Sequence, residues 1–280
     1  MEEARLIKFL SWIEEDVVFW DETSRLLVPA GAKAIGRVLA KAEGVVAGVE
    51  FVEPLLRRMG FEVDVHRRDG EAVQPEDLIM ELRGDARKLL EVGRVLLNVL
   101  MHASGVATAT RGLVERAQRH GAKVAATRKT LPGLRALEKM AVMAGGGDPH
   151  RLSLSDAVLI KKEHLRFAGG VGEAVRKAKE GTSFTKKVEV EVETPEDALE
   201  ATLAGADIVM LDNFSPEDVK RALDLLKREG LRDKVVVEVS GGINEENVED
   251  YARLGVDVLS SGGITHSARA LDMSMEVIPL

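Results

Sequence analysis

The sequence predicts an α/β protein whose second half is built on parallel strands. From about Lys123 onward, short apolar runs alternate with stretches of helical period. Strand, helix and strand repeated this way imply parallel strands with covering helices. Each apparent strand also ends in polar residues or glycine. In such folds the carboxyl ends of the strands carry function. The length of 280 residues leaves ample room for a core, in one large domain or two smaller ones.

The first hundred residues mix both element types. LIKFLSWIEEDV spaces its apolar residues as a helix does. KAIGRVLAKAEGVVAG and FEVDVHRRDGEAV alternate, or run apolar in short pieces split by glycine, as strands do. DARKLLEVGRVLLNVLMHASGVATATRGLVERAQRHG predicts a long helix with Gly121 as its stop. Gly93 and Gly105 mark breaks or close packing within it. The alternation then begins. KVAAT precedes a helix through LRALEKMAVMAG, and DAVLIK precedes VGEAVRKAKEG. KVEVEVE precedes PEDALEATLAG, and ADIVMLDNF precedes PEDVKRALDLLKREG. KVVVEVSGG precedes NEENVEDYARLG, and VDVLSSGGI precedes a short final helix. Such strands could close into a barrel or lie open.

A formal net charge of −8 argues against general nucleic-acid binding, which needs a basic field. The sequence shows no apolar run near bilayer length and opens on charged residues, so a cytoplasmic location is expected. With no cysteine, disulfides and thiolate metal sites are excluded. High charge with scarce Asn and Gln suits a thermostable protein rich in ion pairs, although composition bias gives the same pattern.

Within this acidic chain, residues 127–164 gather Arg128, Lys129, His150, Arg151, Lys161 and Lys162 around a triple glycine. That concentration suits a small, highly anionic substrate. Arg94, Arg128 and Arg151 can each fork onto a carboxylate or phosphate, whereas Lys129 and Lys161 act as point charges. His150 could donate to an anion or be a core histidine. Arg135 and Lys139 read as solvated or paired helix residues, and His66 and His120 as surface residues. The last two strands each end in Ser-Gly-Gly, at Ser240, Gly241 and Gly242 and at Ser261, Gly262 and Gly263. Such loops let backbone N–H groups approach a phosphate, although two tight turns would look the same. Glu191 and Asp212 end neighbouring strands and could share Mg²⁺, which favours oxygen ligands. Glu189, Glu191 and Glu193 lie on one strand face, so spacing alone does not choose among them.

The segment TRKTLPGLRALEKMAVMAGGGDPHRLSLSDAVLIKKEH closely resembles the signature of the quinolinate phosphoribosyltransferases, DTRKT-x-PG-x-R-x-L-x-K-x-AV, GGG-x-NHR and L-x-D-x-x-LIKDNH. GRVLLNVLMHASGVATATR, VEVEVET, MLDNF, EVSGGI and SSGGITHSARALDMSM also have counterparts there. The resemblance implies the type II phosphoribosyltransferase architecture, an N-terminal α/β sandwich domain followed by an open α/β barrel. The expected domains are residues 1–104 and 105–266, with the 267–280 tail against the first. It also implies a homodimer with shared active sites, open to further assembly. By the same resemblance, Arg94, Arg128, His150, Arg151 and Lys161 bind quinolinate, with Lys129 nearby. Glu191 and Asp212 serve the ribose and Mg²⁺ of phosphoribosyl pyrophosphate. Ser240, Gly241, Gly242, Ser261 and Gly262 cradle the phosphate. Lys129, Lys161, Glu191 and Asp212 are the expected catalytic group.

The expected reaction is phosphoribosyl transfer to quinolinate with decarboxylation, giving nicotinate mononucleotide. Five positions depart from the family pattern: Gly93, Ala126, Pro149, Ser153 and Glu163. ASG-x-AT, PHR and x-EH also echo paralogues linked to molybdenum transport, whereas Lys161 and LDNF side with the quinolinate enzymes. The alternatives are a phosphoribosyltransferase acting on another acidic acceptor and a non-catalytic binding protein that kept the anion site. Retention of so many clustered cations argues against the latter, because unpaired like charges are costly to hold together.

Overall fold

The computed structural model describes residues 2–280. In chain order the elements of the first part are α1 (Glu2–Asp16), α2 (Glu22–Leu27), β1 (Lys33–Ala40), β2 (Gly44–Val45), α3 (Val49–Arg58), β3 (Glu62–Val65), β4 (Ala72–Val73), β5 (Leu78–Asp85) and α4 (Ala86–Gln118). There follow β6 (Lys123–Ala125), α5 (Arg135–Ala144), β7 (Val158–Ile160), α6 (Lys162–Ala168), α7 (Val171–Gly181) and β8 (Val188–Val192). The chain finishes with α8 (Pro195–Leu203), β9 (Ile208–Asp212), α9 (Pro216–Arg228), β10 (Val236–Ser240), α10 (Val248–Ala252), β11 (Val258–Ser260), α11 (Gly263–His266) and β12 (Met273–Pro279). The fold divides into two compact units. One is Met1–Ala109 with Met140–Gly146 and Ala268–Leu280, and the other is Thr110–Lys139 with Gly147–Ser267.

The first unit is built on an antiparallel sheet of order β12-β1-β5-β3, with β2 and β4 paired separately. The chain's last strand lies on β1, with Gly36 opposite Val277. The core is aliphatic, and Leu55, Leu56, Ile79, Leu82, Leu89, Leu96 and Leu100 are fully buried. Leu89, Val92, Leu96, Leu100, Ala103 and Ala107 are buried at intervals of three and four along α4, the stripe a packed helix needs.

Gly93 and Gly105 do not break α4; they are close-packing points. A Cβ on Gly93 would lie 2.2 Å from Met275 Cε, and one on Gly105 would lie 2.2 Å from the Arg269 carbonyl oxygen. Around Gly105, the Ala47 N–H donates to Ser104 Oγ (3.0 Å) and the Val45 N–H to Thr108 Oγ1 (2.9 Å). The ASGVAT motif therefore ties a strand and the tail to a helix; it is structural. α4 is also long and apolar enough to cross a membrane by length and composition, against the expectation from the sequence. However, 67% of its most apolar stretch is buried within the protein, and a core helix passes the same test.

The second unit holds six parallel strands in the order β6-β11-β10-β9-β8-β7. That is a ring order with one gap, between β6 and β7, so the barrel is open. At the gap, β6 meets a single bridge from Ala125 to Asp148. Helix starts follow from the loop chemistry. Thr194 and Ser215 side chains accept the backbone N–H of Asp197 and Asp218, and each cap is followed by proline at the first helical position. Along each strand, Val190, Val209 and Val237 are fully buried on the opposite side from Glu191, Met210 and Glu238. The second set faces inward, and its glutamates give this barrel a charged interior.

Candidate active site

Strand register assembles the rim. Asp212 at the end of β9 lies opposite Ser240 of β10, Ser240 opposite Ser260 of β11, and Ser260 opposite Ala125 of β6. The ends of these strands surround a cavity of about 500 Å³, lined by Arg128, Lys129, His150, Arg151, Lys161, Glu191, Asp212 and Ser240 among others. Leu159 and Met210 add an apolar patch to its wall.

The cations come from three loops at the gap side. The loop after β6 carries Arg128 and Lys129. It is held by Arg135, whose Nε donates to Thr130 Oγ1 (3.0 Å) and whose Nη2 donates to the Arg128 carbonyl (3.4 Å), and by Thr265 Oγ1, which donates to the Lys129 carbonyl (2.7 Å). Lys139 is not solvated. It is 1% exposed, its Nζ donates to the Pro149 carbonyl, and burial followed by repulsion from Arg135 pushes it down to about 8. Arg128 Nε is buried with no protein partner, an orphaned donor of the kind a bound anion would satisfy. Burial and then the neighbouring Arg128 charge lower Arg151, so the two guanidiniums share a site they mutually disfavour. Lys161 begins α6. Its backbone N–H donates to His164 Nδ1 (2.9 Å), and its Nζ pairs with Glu191. His164 thus fixes the backbone of Lys161, two residues before Glu163, one of the departures from the family pattern.

His150 lies deeper than an ordinary rim donor. It takes a left-handed backbone conformation (φ 53°), and its Nε2 is 3.4 Å from carboxylate oxygens of both Glu189 and Glu238. Both glutamates are 1% exposed, and each keeps one oxygen without a partner. Burial opposes charge on the ring, but the contacts with Glu189 and Glu238 together outweigh it and push His150 up to about 10. Burial also raises Glu189, with His150 pulling the other way. The two directions conflict if read as one ion pair. They agree that the cluster holds a proton at neutral pH, and the imidazole between two carboxylates is the group that gains most by holding it. Among Glu189, Glu191 and Glu193, the strand buries the first, brings the second to the cavity wall and leaves the third exposed. Glu238 was not singled out by sequence; the VEVS alternation of β10, matching VEVEV of β8, was the available signal.

The glycine loops have specific demands. Gly241 has φ 100°, and a Cβ there would stand 2.3 Å from Asn213 Oδ1. A Cβ on Gly262 would meet the Lys129 side chain at 3.0 Å. The N–H groups of Gly241, Gly242 and Gly262 carry no hydrogen bond among the described residues. Ser261 departs from its expected role in cradling phosphate. Its N–H donates to the Ala125 carbonyl at the end of β6 and its Oγ to the Ile243 carbonyl (2.7 Å) in the loop after β10, so both donors are committed. The spatial counterpart of Ser240 is Ser260, whose buried Oγ has no protein partner. Arg94 is exposed on α4 in the other unit and is not among the residues lining the cavity.

Comparison with known proteins gives the family of the chain. The C-terminal domain model of quinolinate phosphoribosyl transferase matches residues 106–276, and the N-terminal domain model matches 21–104. The chain belongs to the quinolinate phosphoribosyltransferase family. Within that family, it is 50% identical over 243 residues to a probable nicotinate-nucleotide pyrophosphorylase [carboxylating] of Archaeoglobus fulgidus, covering 86% of this chain and 93% of the relative. It is 38% identical to the human nicotinate-nucleotide pyrophosphorylase [carboxylating], over 95% of this chain and 89% of that one. The solved nicotinate-nucleotide pyrophosphorylase of Francisella tularensis superposes with a TM-score of 0.91 at 36% identity, covering 99% of this chain and 97% of that one.

Proposed function

We infer that this family member transfers the phosphoribosyl group of phosphoribosyl pyrophosphate to quinolinate, with decarboxylation, in NAD synthesis. The observation that carries the reading is the cavity wall that brings Arg128, Lys129, Arg151 and Lys161 together with Glu191 and Asp212 at the strand ends. A dicarboxylate suits the cationic half. Arg128 and Arg151 can each fork onto a carboxylate, and Arg128 Nε lacks a protein partner. The ring nitrogen of quinolinate then attacks the anomeric carbon, the bond from that carbon to pyrophosphate breaks, and pyrophosphate leaves with the electron pair. The new ring cation accepts the electrons of the adjacent carbon–carboxylate bond, CO₂ departs, and a proton replaces it. Lys129 and Lys161 stabilise developing negative charge by position alone.

Glu191 and Asp212 bring oxygen donors to one wall, and a hard cation riding on phosphate commonly takes one or two carboxylates. They fit Mg²⁺ as a partial shell and would hold it with substrate oxygens and water. When bound, it neutralises charge on the leaving pyrophosphate. Gly241, Gly242 and Gly262 offer free N–H groups for the 5′-phosphate. The reading includes a homodimer in which Arg94 of one chain serves the cavity of the other, and a cytoplasmic setting that supplies both substrates.

The test is incubation with phosphoribosyl pyrophosphate, Mg²⁺ and quinolinate or nicotinate, following pyrophosphate and CO₂. Both products are expected with quinolinate alone, and none in excess chelator. Pyrophosphate release with neither acid would overturn the acceptor. Full activity in chelator would remove Glu191 and Asp212 from their metal role.

A further inference from the structure

The buried pair Glu189 and Glu238 has no part in the reaction as derived so far, yet two nearly inaccessible carboxylates inside a barrel demand an explanation. Desolvating a carboxylate is expensive unless it is paired. Each presents one oxygen to the same atom, His150 Nε2, at 3.4 Å. The three residues stand between two cavities. His150 and Glu238 line the cavity at the strand ends, and both also line a second cavity of about 230 Å³ toward the strand starts, walled by Ala125, Ile208, Val236 and Val258. His150 itself is partly accessible, and no hydrogen bond of its Nδ1 exists among the described residues.

We propose that Glu189 and Glu238 are positioning residues that grip His150 at Nε2 and keep its ring a cation, leaving Nδ1–H as a standing donor to a substrate carboxylate. The identity of that substrate rests on the quinolinate reading above; the clamp does not. An imidazole hydrogen-bonded through one nitrogen has its orientation set by that bond. With two acceptors at Nε2, the proton on that nitrogen is held, and a second proton must sit on Nδ1 for the ring to be charged. The left-handed backbone of His150 and the Lys139 bond to the preceding carbonyl hold the ring's origin in place. Among the other charged groups, Arg151 in its own loop and Arg128 in the loop after β6 line the first cavity with His150, as do Lys129, Lys161, Glu191 and Asp212, and Asp148 lines the second. Lys123 and Lys187 line the second cavity. The arginines oppose charge on the ring, so the two carboxylates must supply the stabilisation. They hold it to about pH 10, far above its ordinary 6.5.

The same three side chains could instead ligate a divalent metal, because their ligand atoms all lie within 4.8 Å of one another. The experiment separates these cases. Histidine-labelled enzyme without substrate is titrated by NMR, with His150→Asn assigning the signal among the six histidines, and its metal content is measured. The wild-type ring is expected to stay doubly protonated from pH 6 to 9, with no metal at stoichiometric level. In Glu189→Gln with Glu238→Gln, loss of both negative charges should drop the ring toward about 6.5. The KM for quinolinate should then rise on the order of tenfold between pH 6 and 8, the size of one lost charge-assisted contact. The KM for phosphoribosyl pyrophosphate should not follow it. Single variants serve if the double variant does not fold. A neutral ring at pH 7 in the wild type, a stoichiometric metal, or a variant whose ring titrates normally while quinolinate KM ignores pH would each overturn the clamp. If wild-type enzyme fails to turn over quinolinate, the functional reading falls, whereas the titration still decides the clamp.

Discussion

Arg128 shows how much one side chain carries. Its backbone carbonyl is gripped by Arg135 (3.4 Å), its Nε is buried and unpartnered, and its charge lowers Arg151. Arg128→Lys keeps the charge and removes the planar fork. Quinolinate KM should therefore rise roughly tenfold to a hundredfold, the worth of a charged hydrogen bond. An unchanged KM would mean that charge alone is read at this position. Lys139 makes a second case. Burial holds its ammonium at about 8, below its ordinary 10.5. Its charged form is therefore disfavoured by folding. That penalty is full below about pH 8 and is relieved as pH rises toward 10.5, with a slope up to about 1.4 kcal/mol per pH unit. His150 acts in the opposite sense, because its raised value gives stability that is present below about 6.5 and lost through about 10. Denaturant unfolding of Lys139→Met against wild type between pH 8 and 10.5 isolates the lysine. Wild type should gain stability relative to Lys139→Met as pH rises, with up to that slope; parallel curves, or a gain by the variant, would show that Lys139 is not desolvated as described.

At the scale of elements, glycine decides where backbones cross. In an exposed helix interior, Gly→Ala stabilises by about 1 kcal/mol. At Gly105 the added methyl would meet the Arg269 carbonyl and Ala270 backbone, and overpacking costs about 1–3 kcal/mol. Backbone cannot swing aside as a flexible side chain can, so Gly105→Ala should lower the denaturation midpoint. A higher midpoint would show that the tail yields easily. Gly241→Ala should act on the loop after β10, through its positive φ and the Asn213 clash, with strain of about 1–3 kcal/mol. Its signature should be a raised KM for phosphoribosyl pyrophosphate with quinolinate KM little changed. The element pattern itself was largely legible. The long helix, the strand and helix alternation and the loops at strand ends follow from short-range periodicity. Periodicity does not resolve α2, α3, α6, β5 or β12, which are short or masked by neighbouring apolar runs, and the likeness of the two Ser-Gly-Gly motifs points to Ser261 rather than Ser260 as the counterpart of Ser240. Register shows that β11 stops one residue earlier, at Ser260.

For the whole molecule, Arg94 tests the proposed dimer. If it serves the partner's cavity, Arg94→Ala and Lys161→Ala should each be nearly inactive alone. Mixed and reassembled, they should recover activity on the order of a quarter of wild type, because half the pairs are mixed and each mixed pair has one intact site. No recovery despite verified exchange would detach Arg94 from a shared site. Charge distribution bears on stability at the same scale. Asp207 bridges Lys179 and Lys187, Glu249 bridges His120 and Arg253, and Glu81 bridges Arg37 and Arg83. Exposed pairs are worth little singly at 25 °C, but linked pairs gain weight on heating. The thermal midpoint should exceed the roughly 45–65 °C common among mesophile domains; a midpoint inside that range would assign the charge content to composition bias.

What the sequence determined by itself is local: which segments are strands or helices, that strand ends are polar, and that cations cluster around a triple glycine in an acidic chain. Even the family followed from motifs in order. The tertiary structure decided which residues meet. It left the ring of strands open at β6 and β7, and buried Glu189 and Glu238 against His150. It also brought Glu191 to the cavity, took Lys139 out of water, and matched Ser260 to Ser240. The physical reason is that periodicity is set by neighbours a few residues away. Register and burial are set by strands dozens of residues apart, and a shift of one residue exchanges the charged interior for the apolar exterior.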